Sequence, residues 1–413
     1  GHVALSVGGE LLTFPSEQEE CMSHDLVERR GPDLAAPEPI RNGKGANIVG
    51  PRNAPREAEN PDVMVPPPTD HGTVPNLRWS FADSRMRLEE GGWARQTTLR
   101  ELGVAKEIAG VNMRLERGAV RELHFHRESE WAYMLKGRAR ISAVDRGRKT
   151  FLDDVGEGDL WFFPQGVPHS IQGIGDDGCE FLLVFDDGNF DESSTFLLTD
   201  WLAHTPKHIL AKNFGVPESA FDHIPDHELY IFLAQPPGPV GNLTIDQSGG
   251  AGPVSPWFSH RMLAQEPIRT KGGTLRVTDS SNFAASKTIA AALVEVEPGG
   301  LRELHWHANG DEWQYYISGK ARMTVFGAAS NAATFDYQAG DVGYVPRAMP
   351  HYVENIGDTT MRFLETFRSD HYEDLSLRNW LALTPHELVR AHLRIDESVL
   401  AKIGPQSAPV LPP

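Results

Sequence analysis

The sequence runs through the same pattern twice. Ile108 to His126 (IAGVNMRLERGAVRELHFH) aligns without gaps to Ile289 to His307 (IAAALVEVEPGGLRELHWH), an offset of 181 residues. The match continues in order, EWAYMLKGRARISAV from Glu130 with EWQYYISGKARMTVF from Glu312, then VGEGDLWFFPQGVPHSI from Val155 with YQAGDVGYVPRAMPHYV from Tyr337. A long repeat fixes the architecture before any local assignment, and 413 residues suffice for two units, each with its own core. Within each unit, short alternating segments such as Arg138–Val144 and Arg322–Phe326 are punctuated by Gly, Pro and Asp. That pattern predicts an all-β fold, an antiparallel barrel or jelly roll. Each unit closes on a short helical tail, DWLAHTPKHIL and NWLALTPHELV, in which Thr-Pro is expected to supply N-cap and first helical residue.

Residues 1–75 are rich in Pro, Gly and Asn without sustained periodicity and read as an extended arm. The first barrel is expected over 76–235 and the second over 257–400, with a connection through 236–256 and a C-terminal tail over 401–413. Hydrophobic residues make up 40% of the chain, and no apolar run approaches the ~20 residues of a membrane span. A formal charge of −18 argues against nucleic acid, which needs clustered Lys and Arg, and against a membrane surface. It also repels small dianions at long range, so an anionic substrate must be held by local positive charge. Cys21 and Cys179 are too few for a disulfide scaffold or a thiolate zinc cage, although one disulfide is open. The chain begins at Gly1 without a charged-then-apolar leader, as a mature or trimmed chain would. The triplet Asn242-Leu243-Thr244 leans the expected location towards secretion.

Each repeat carries a compact set of metal-type side chains. The first offers His124, His126 and Glu130, the second His305, His307 and Glu312; residues i and i+2 of a strand share a face, so each His pair can reach one ion. About 40 residues on, each repeat presents one more His after a Pro-containing turn, His169 and His351. An isolated strand His is ordinarily a core or hydrogen-bonding residue; a four-residue set recurring in order is not. Three imidazoles and a carboxylate without thiolate suit Mn, Fe, Ni, Co or Zn.

These residues resemble the cupin superfamily. Gly118, His124, His126, Glu130 and Gly137 fit its first motif, and Gly299, His305, His307, Glu312 and Gly319 fit it again. Gly158, Pro164, Gly166 and His169 fit the second motif except that Gly173 stands for its final Asn; Gly340, Pro346, His351 and Asn355 fit it with Ala348 in place of the middle Gly. The fold implied is two tandem cupin barrels over about residues 75–400.

Within that superfamily the chain resembles the bicupin oxalate decarboxylases. Arg-Glu-Leu precedes each His pair, placing Arg121 and Arg302 three residues before the first ligand. Three is an odd spacing, so a bulge or bend is needed to aim either arginine at a metal. The family uses an Arg here beside bound oxalate. Phe185–Trp201 holds three more residues than Phe367–Trp380, and Asp191-Glu192-Ser193-Ser194-Thr195 is similar to the family's active-site lid, expected over 186–196. The resemblance implies two Mn²⁺ per chain, oxalate as substrate, dioxygen as a co-substrate that is not consumed, and a homo-oligomer, trimer or hexamer. It makes Glu192 the proton donor and acceptor and Arg121 the group that stabilises carboxylate charge as the C–C bond polarises. Glu365 interrupts an apolar strand where the first repeat has Leu183, which is costly unless the charge is paired or used. The resemblance places Glu365 near the second metal, with Arg302 as its partner in the structural alternative.

Three rivals are distinguishable. An oxalate oxidase would release CO2 and hydrogen peroxide from the same metal shell, but it has no carbon to protonate, and Glu192 speaks for the decarboxylase. A storage-type bicupin generally loses ligand histidines, whereas this chain keeps all eight ligands. A sugar-modifying or dioxygenase cupin does not account for the lid.

Overall fold

The computed structural model describes residues 40–41, 44–46, 48–240, 250–405 and 408–413. Cys21 and the 242–244 triplet lie outside them, as does most of the arm; Cys179 is buried. Eight strands position the sites. In the first barrel they are β1 (Val120–Phe125), β2 (Glu130–Val144), β3 (His169–Gly173) and β4 (Cys179–Phe185). Their counterparts in the second are β5 (Leu301–Trp306), β6 (Glu312–Ser318), β7 (His351–Asn355) and β8 (Met361–Phe367).

β2 turns the corner of the first barrel. Its first half pairs with β4 and with Asp159–Phe163, and its second half with β3 and Thr150–Gly156. The corner is at Gly137, where φ is +78° and an added Cβ would lie 2.2 Å from the Gly178 carbonyl oxygen. Only glycine fits that left-handed, crowded position. In the second barrel Gly319 (φ +86°) does the same, between β6 and the strand Lys320–Phe326. The interior is apolar: β4 (CEFLLVF) and Ala109–Leu115 are almost wholly buried, as β8 and Ala290–Val296 are in the second barrel.

The repeats exchange edge strands. Arg78–Ser80 pairs with Asp341–Val345 of the second barrel, and Ser259–Arg261 pairs with Asp159–Phe163 of the first. Boundaries drawn at 76 and 257 therefore assign each of these strands to the repeat it begins, while its hydrogen bonds lie in the other. The described part of the arm packs on the second barrel, where Asp70 accepts from the Thr334 hydroxyl (2.8 Å) and backbone amide (3.0 Å). One apolar core, including Phe81, Leu183, Trp313 and Tyr344, runs across both barrels.

One local expectation is corrected. Within the expected C-terminal tail Val410–Leu411 is an edge strand beside β5, as Ile231–Phe232 is beside β1, because β1 and β5 have backbone groups left to pair on that side. The Thr-Pro threonines do not cap their helices. Pro206 and Pro385 are still extended (ψ 133° and 127°), so the helices begin at Lys207 and His386. The threonine hydroxyls instead donate back to the carbonyls of Trp201 (2.8 Å) and Trp380 (2.7 Å).

Candidate metal centres

A bulge builds both sites. Along β1 and β3, His124 faces His169 while Arg121 faces Ile171, so between these pairs Glu122 and Leu123 oppose Ser170 alone; β5 and β7 repeat this with His305 opposite His351 and Arg302 opposite Val353. The extra residue turns Arg121 and Arg302 to the ligand side, as their odd spacing requires.

The two four-residue sets come together as expected: in each, one ligand atom per residue lies within 4.8 Å of the others, and all eight residues are buried. Every imidazole uses Nδ1 on a backbone carbonyl. His124 contacts Glu122 (2.6 Å), His126 Glu128 (2.8 Å) and His169 Val167 (2.8 Å), while His305, His307 and His351 contact Glu303 (2.6 Å), Glu373 (2.6 Å) and Met349 (3.0 Å). With Nδ1–H donating, each Nε2 lone pair faces the site, the orientation a metal ligand needs. In the second centre the buried Nε2 atoms of His305, His307 and His351 and Glu312 Oε2 have no hydrogen-bond partner outside the set among the described residues, and Glu312 Oε2 lies 2.9 Å from His351 Nε2 and 3.3 Å from His307 Nε2. Buried polar atoms converging on one another in this way fit a divalent cation.

Electrostatics favours the deprotonated form that binds metal at His124, His305, Glu130 and Glu312, whereas at His126 and His307 burial is outweighed by the neighbouring Glu130 and Glu312, which raise the imidazole. Burial, then the neighbouring guanidinium of Arg121 or Arg302, pulls His124 and His305 well below the usual imidazole range. Burial opposes the charge on Glu130, yet His169 and His126 outweigh it and hold the carboxyl well below the carboxylate range; His351 and His307 do the same for Glu312. The outer oxygen of each carboxylate is fixed differently. Trp161 Nε1 donates to Glu130 Oε1 (2.9 Å), whereas Gln314 Nε2 donates to Glu312 Oε1 (2.8 Å). At the position equivalent to Trp161 stands Gly343, where an added Cβ would lie 2.4 Å from the Gln314 amide oxygen. The glutamine thus occupies the space of the missing indole.

The surroundings of the two arginines differ more. Arg121 is 1% exposed, and its Nη2 lies 2.9 Å from Oε2 of Glu192, which also accepts from the Tyr230 hydroxyl at 2.8 Å. Arg121 Nε has no hydrogen-bond partner among the described residues. Glu192 begins a short turn, Glu192–Ser194, capped by Asp191 and tied through its own amide to Gln96 Oε1 (3.1 Å). Phe190 anchors the lid, stacked 3.5 Å from Phe185. Arg302 instead lies between two carboxylates, Glu365 at 3.1 Å and Asp374 at 2.6 Å, and donates to the Tyr372 hydroxyl at 2.8 Å. Burial raises Glu365 and the negative Glu312 adds to this, against the pull of Arg302. One carboxylate, from a loop, meets Arg121; two, one from β8 and one from a loop, meet Arg302.

Sequence reasoning missed Tyr230, Gln96, Trp161, Tyr372 and Asp374, which carry no local motif. It had a signal for Glu122, the middle of the repeated Arg-Glu-Leu: its carboxylate accepts from the amides of Thr199 (3.0 Å), Leu229 (2.8 Å) and Tyr230 (2.6 Å), fixing the segments that carry the lid's far end and Tyr230.

Comparison with known proteins agrees with this geometry. The family model described as Cupin matches residues 84–220 and again 260–400. The chain is 56% identical over 375 residues to the oxalate decarboxylase OxdC of Bacillus subtilis (strain 168), covering 91% of this chain and 97% of that one. It is 42% identical over 372 residues to a probable oxalate decarboxylase of Arthroderma benhamiae, covering 89% and 91%. A solved structure of the B. subtilis oxalate decarboxylase, described for its Mn(II) centres, superposes with a TM-score of 0.89 at 55% identity, over 92% of this chain and 100% of that one.

Proposed function

The chain belongs to the cupin family, and on that premise we propose that it decarboxylates oxalate to formate and carbon dioxide at its first metal centre, with one manganese ion in each barrel. Bound manganese supplies Lewis acidity and a one-electron couple, with dioxygen as a co-substrate that is not consumed. The reaction consumes one proton: oxalate and H⁺ give formate and CO2. The carbon left when the C–C bond breaks must receive that proton.

The observation that carries the reading is the Glu192 carboxylate on Arg121 beside the His124, His126, Glu130 and His169 set. Glu192 takes a proton as base and returns it to carbon as acid. Arg121 has one carboxylate partner, on the lid, and can exchange it for a substrate carboxylate whose charge it then stabilises. Tyr230, donating to the same Glu192 oxygen, holds the carboxylate in place between turnovers. At the second centre Arg302 already serves Glu365 and Asp374, and a further dianion there would meet two negative charges. Arg302 and Glu365 therefore act in holding the second site together, and catalysis belongs to the first.

The manganese-loaded protein should convert oxalate at mildly acid pH to equal amounts of formate and CO2. Hydrogen peroxide as the main reduced product would instead make it an oxidase. We also read the protein as a homo-oligomer, a trimer or hexamer. Exposed apolar side chains recur at equivalent places in both repeats, Leu123, Phe196 and Trp201 in one and Leu304, Leu375 and Trp380 in the other. Light scattering of the intact chain returning a monomer would overturn that reading.

A further inference from the structure

Outside the lid lies a cavity of about 550 Å³ whose wall is unexpected in a chain of net charge −18. Four arginines line it, Arg85, Arg87, Arg95 and Arg100. Two are locally neutralised: Arg87 by Glu89 (2.6 Å) and Glu228 (2.7 Å), and Arg100 by Asp191 (2.9 Å). The other two have no carboxylate partner among the described residues. Arg95 donates to Asn112 Oδ1 (2.9 Å) and to the Phe81 carbonyl (3.1 Å), and Arg85 is exposed without a hydrogen bond. Of the acidic side chains on the wall, Glu101 accepts from Thr98 (2.8 and 2.7 Å), Asp191 holds Arg100, and Glu192 faces Arg121.

The inner wall of this cavity is the outer wall of the catalytic site. Tyr230 lines it, and the Tyr230 ring centroid is 3.5 Å from the Arg87 guanidinium carbon and 4.1 Å from that of Arg121. One ring thus separates the outer arginines from the inner one. Both groups that tie down the lid from outside, Gln96 and Arg100, also face the cavity. A dianion approaching this chain meets a repulsive far field. Unpaired guanidinium groups in a concave, low-dielectric recess reverse that field locally and concentrate anions there. Guanidinium also matches the bidentate geometry of a carboxylate.

We propose that this arginine-lined cavity is a capture site for small dicarboxylate dianions, where oxalate is held by Arg85 and Arg95 before it passes beneath the lid to Arg121. The proposal rests on the decarboxylase reading for the identity of the anion. Capture raises the concentration of substrate at the lid and leaves the chemical step unchanged, so its loss appears in KM and not in kcat.

The test is steady-state kinetics of the manganese-loaded chain against Arg85→Gln and the Arg85→Gln/Arg95→Gln double variant, at low ionic strength and at about 0.5 M salt, where such fields are screened. Arg85 is exposed and makes no hydrogen bond or ion pair among the described residues, so the single variant should melt as the parent does. At low salt its KM for oxalate should rise on the order of threefold to tenfold with kcat within about twofold. The double variant should rise further, the difference should vanish at high salt, and Arg85→Lys should restore the parent KM. A double variant that folds normally yet keeps the parent KM and salt dependence overturns the proposal. If the parent makes no formate, the decarboxylase reading has failed instead. The capture site is then judged by calorimetric titration of oxalate into the parent and the double variant, and equal affinity for the two overturns it.

Discussion

Replacing Glu192 by Gln isolates the proton from the scaffold. Glutamine keeps the side-chain volume and an oxygen that can accept from Arg121 and Tyr230, the two donors that Glu192 Oε2 now serves at 2.9 and 2.8 Å. It cannot deliver a proton to carbon. The lid's other fastenings do not involve this carboxylate: Asp191 bonds Ser193 N (3.0 Å) and Arg100 (2.9 Å), Gln96 Oε1 accepts from the backbone of residue 192, and Phe190 is buried against Phe185. The closed lid should therefore survive, and the loss should be chemical. General acid–base catalysis contributes roughly 10²–10⁴-fold, which is about 3–5 kcal/mol of transition-state stabilisation. Formate quantified by NMR should fall by that factor, the metal content should stay at two ions per chain, and the small remaining turnover should shift towards peroxide because the departing CO2 leaves a carbon with no proton donor. Glu192→Ala is the less informative variant, because it also strands Arg121, 1% exposed, without a carboxylate partner. A Glu192→Gln protein that keeps formate production within tenfold of the parent would refute the role assigned to Glu192.

Three further outcomes follow from other parts of the molecule. Trp161→Phe removes the donor to Glu130 Oε1, and Gln314→Leu removes the donor to Glu312 Oε1, so each should weaken metal binding about 10–100-fold in its own barrel only; elemental analysis after dialysis should return one ion per chain from either, and loss of both ions from one variant would contradict it. Gly137→Ala combines a left-handed backbone with a Cβ 2.2 Å from a carbonyl and should cost about 2–4 kcal/mol in chemical denaturation, whereas Gly166→Ala should cost about 1, since Gly166 has open space around it and Ala348 already adopts the equivalent φ of +64° in the second repeat. Asp62 is held at about 7 by burial, reinforced by Asp336 and partly offset by Arg78, and its Oδ1 has no hydrogen-bond partner among the described residues. Its folded pKa lies above its unfolded one, so ionisation opposes folding: stability should fall as pH rises from about 4 to 7 and level off above that. Asp62→Asn should leave the melting temperature unchanged near pH 4 and raise it at pH 8, by at most about 4 kcal/mol of stability; an equal shift at both pH values would dismiss the assignment.

The eight ligands were legible because metal binding demands particular side chains at spacings the strand period allows, and because the chain presents the demand twice. The bulge was legible from the same arithmetic: an arginine three residues before a ligand cannot share its face on a regular strand, and in both barrels two residues of one strand oppose one of the other. What the sequence withheld are pairings made by distant backbone. Tyr230 reaches Glu192 from a segment pinned by Glu122, more than 100 residues earlier, and nothing local marks it as part of the site. The exchange of Arg78–Ser80 and Ser259–Arg261 was hidden for a related reason: the repeats match so closely that either strand would satisfy either barrel, and the choice between them is set by how the chain enters each barrel. Near-identity also explains why the ligand sets could not tell the sites apart. The difference lies in how each buried arginine is neutralised. The first repeat spends three extra residues on a loop that brings one carboxylate from the surface, and the shorter second loop supplies Tyr372 and Asp374, which with Glu365 close around Arg302. An arginine with a single counter-charge, on a loop, can trade it for a substrate carboxylate; one held by two, with Glu365 fully buried on its strand, would have to leave that buried charge uncompensated to do so, at a cost of several kcal/mol. That difference is what supports proposing the chemistry for the first barrel and a structural role for the second arginine.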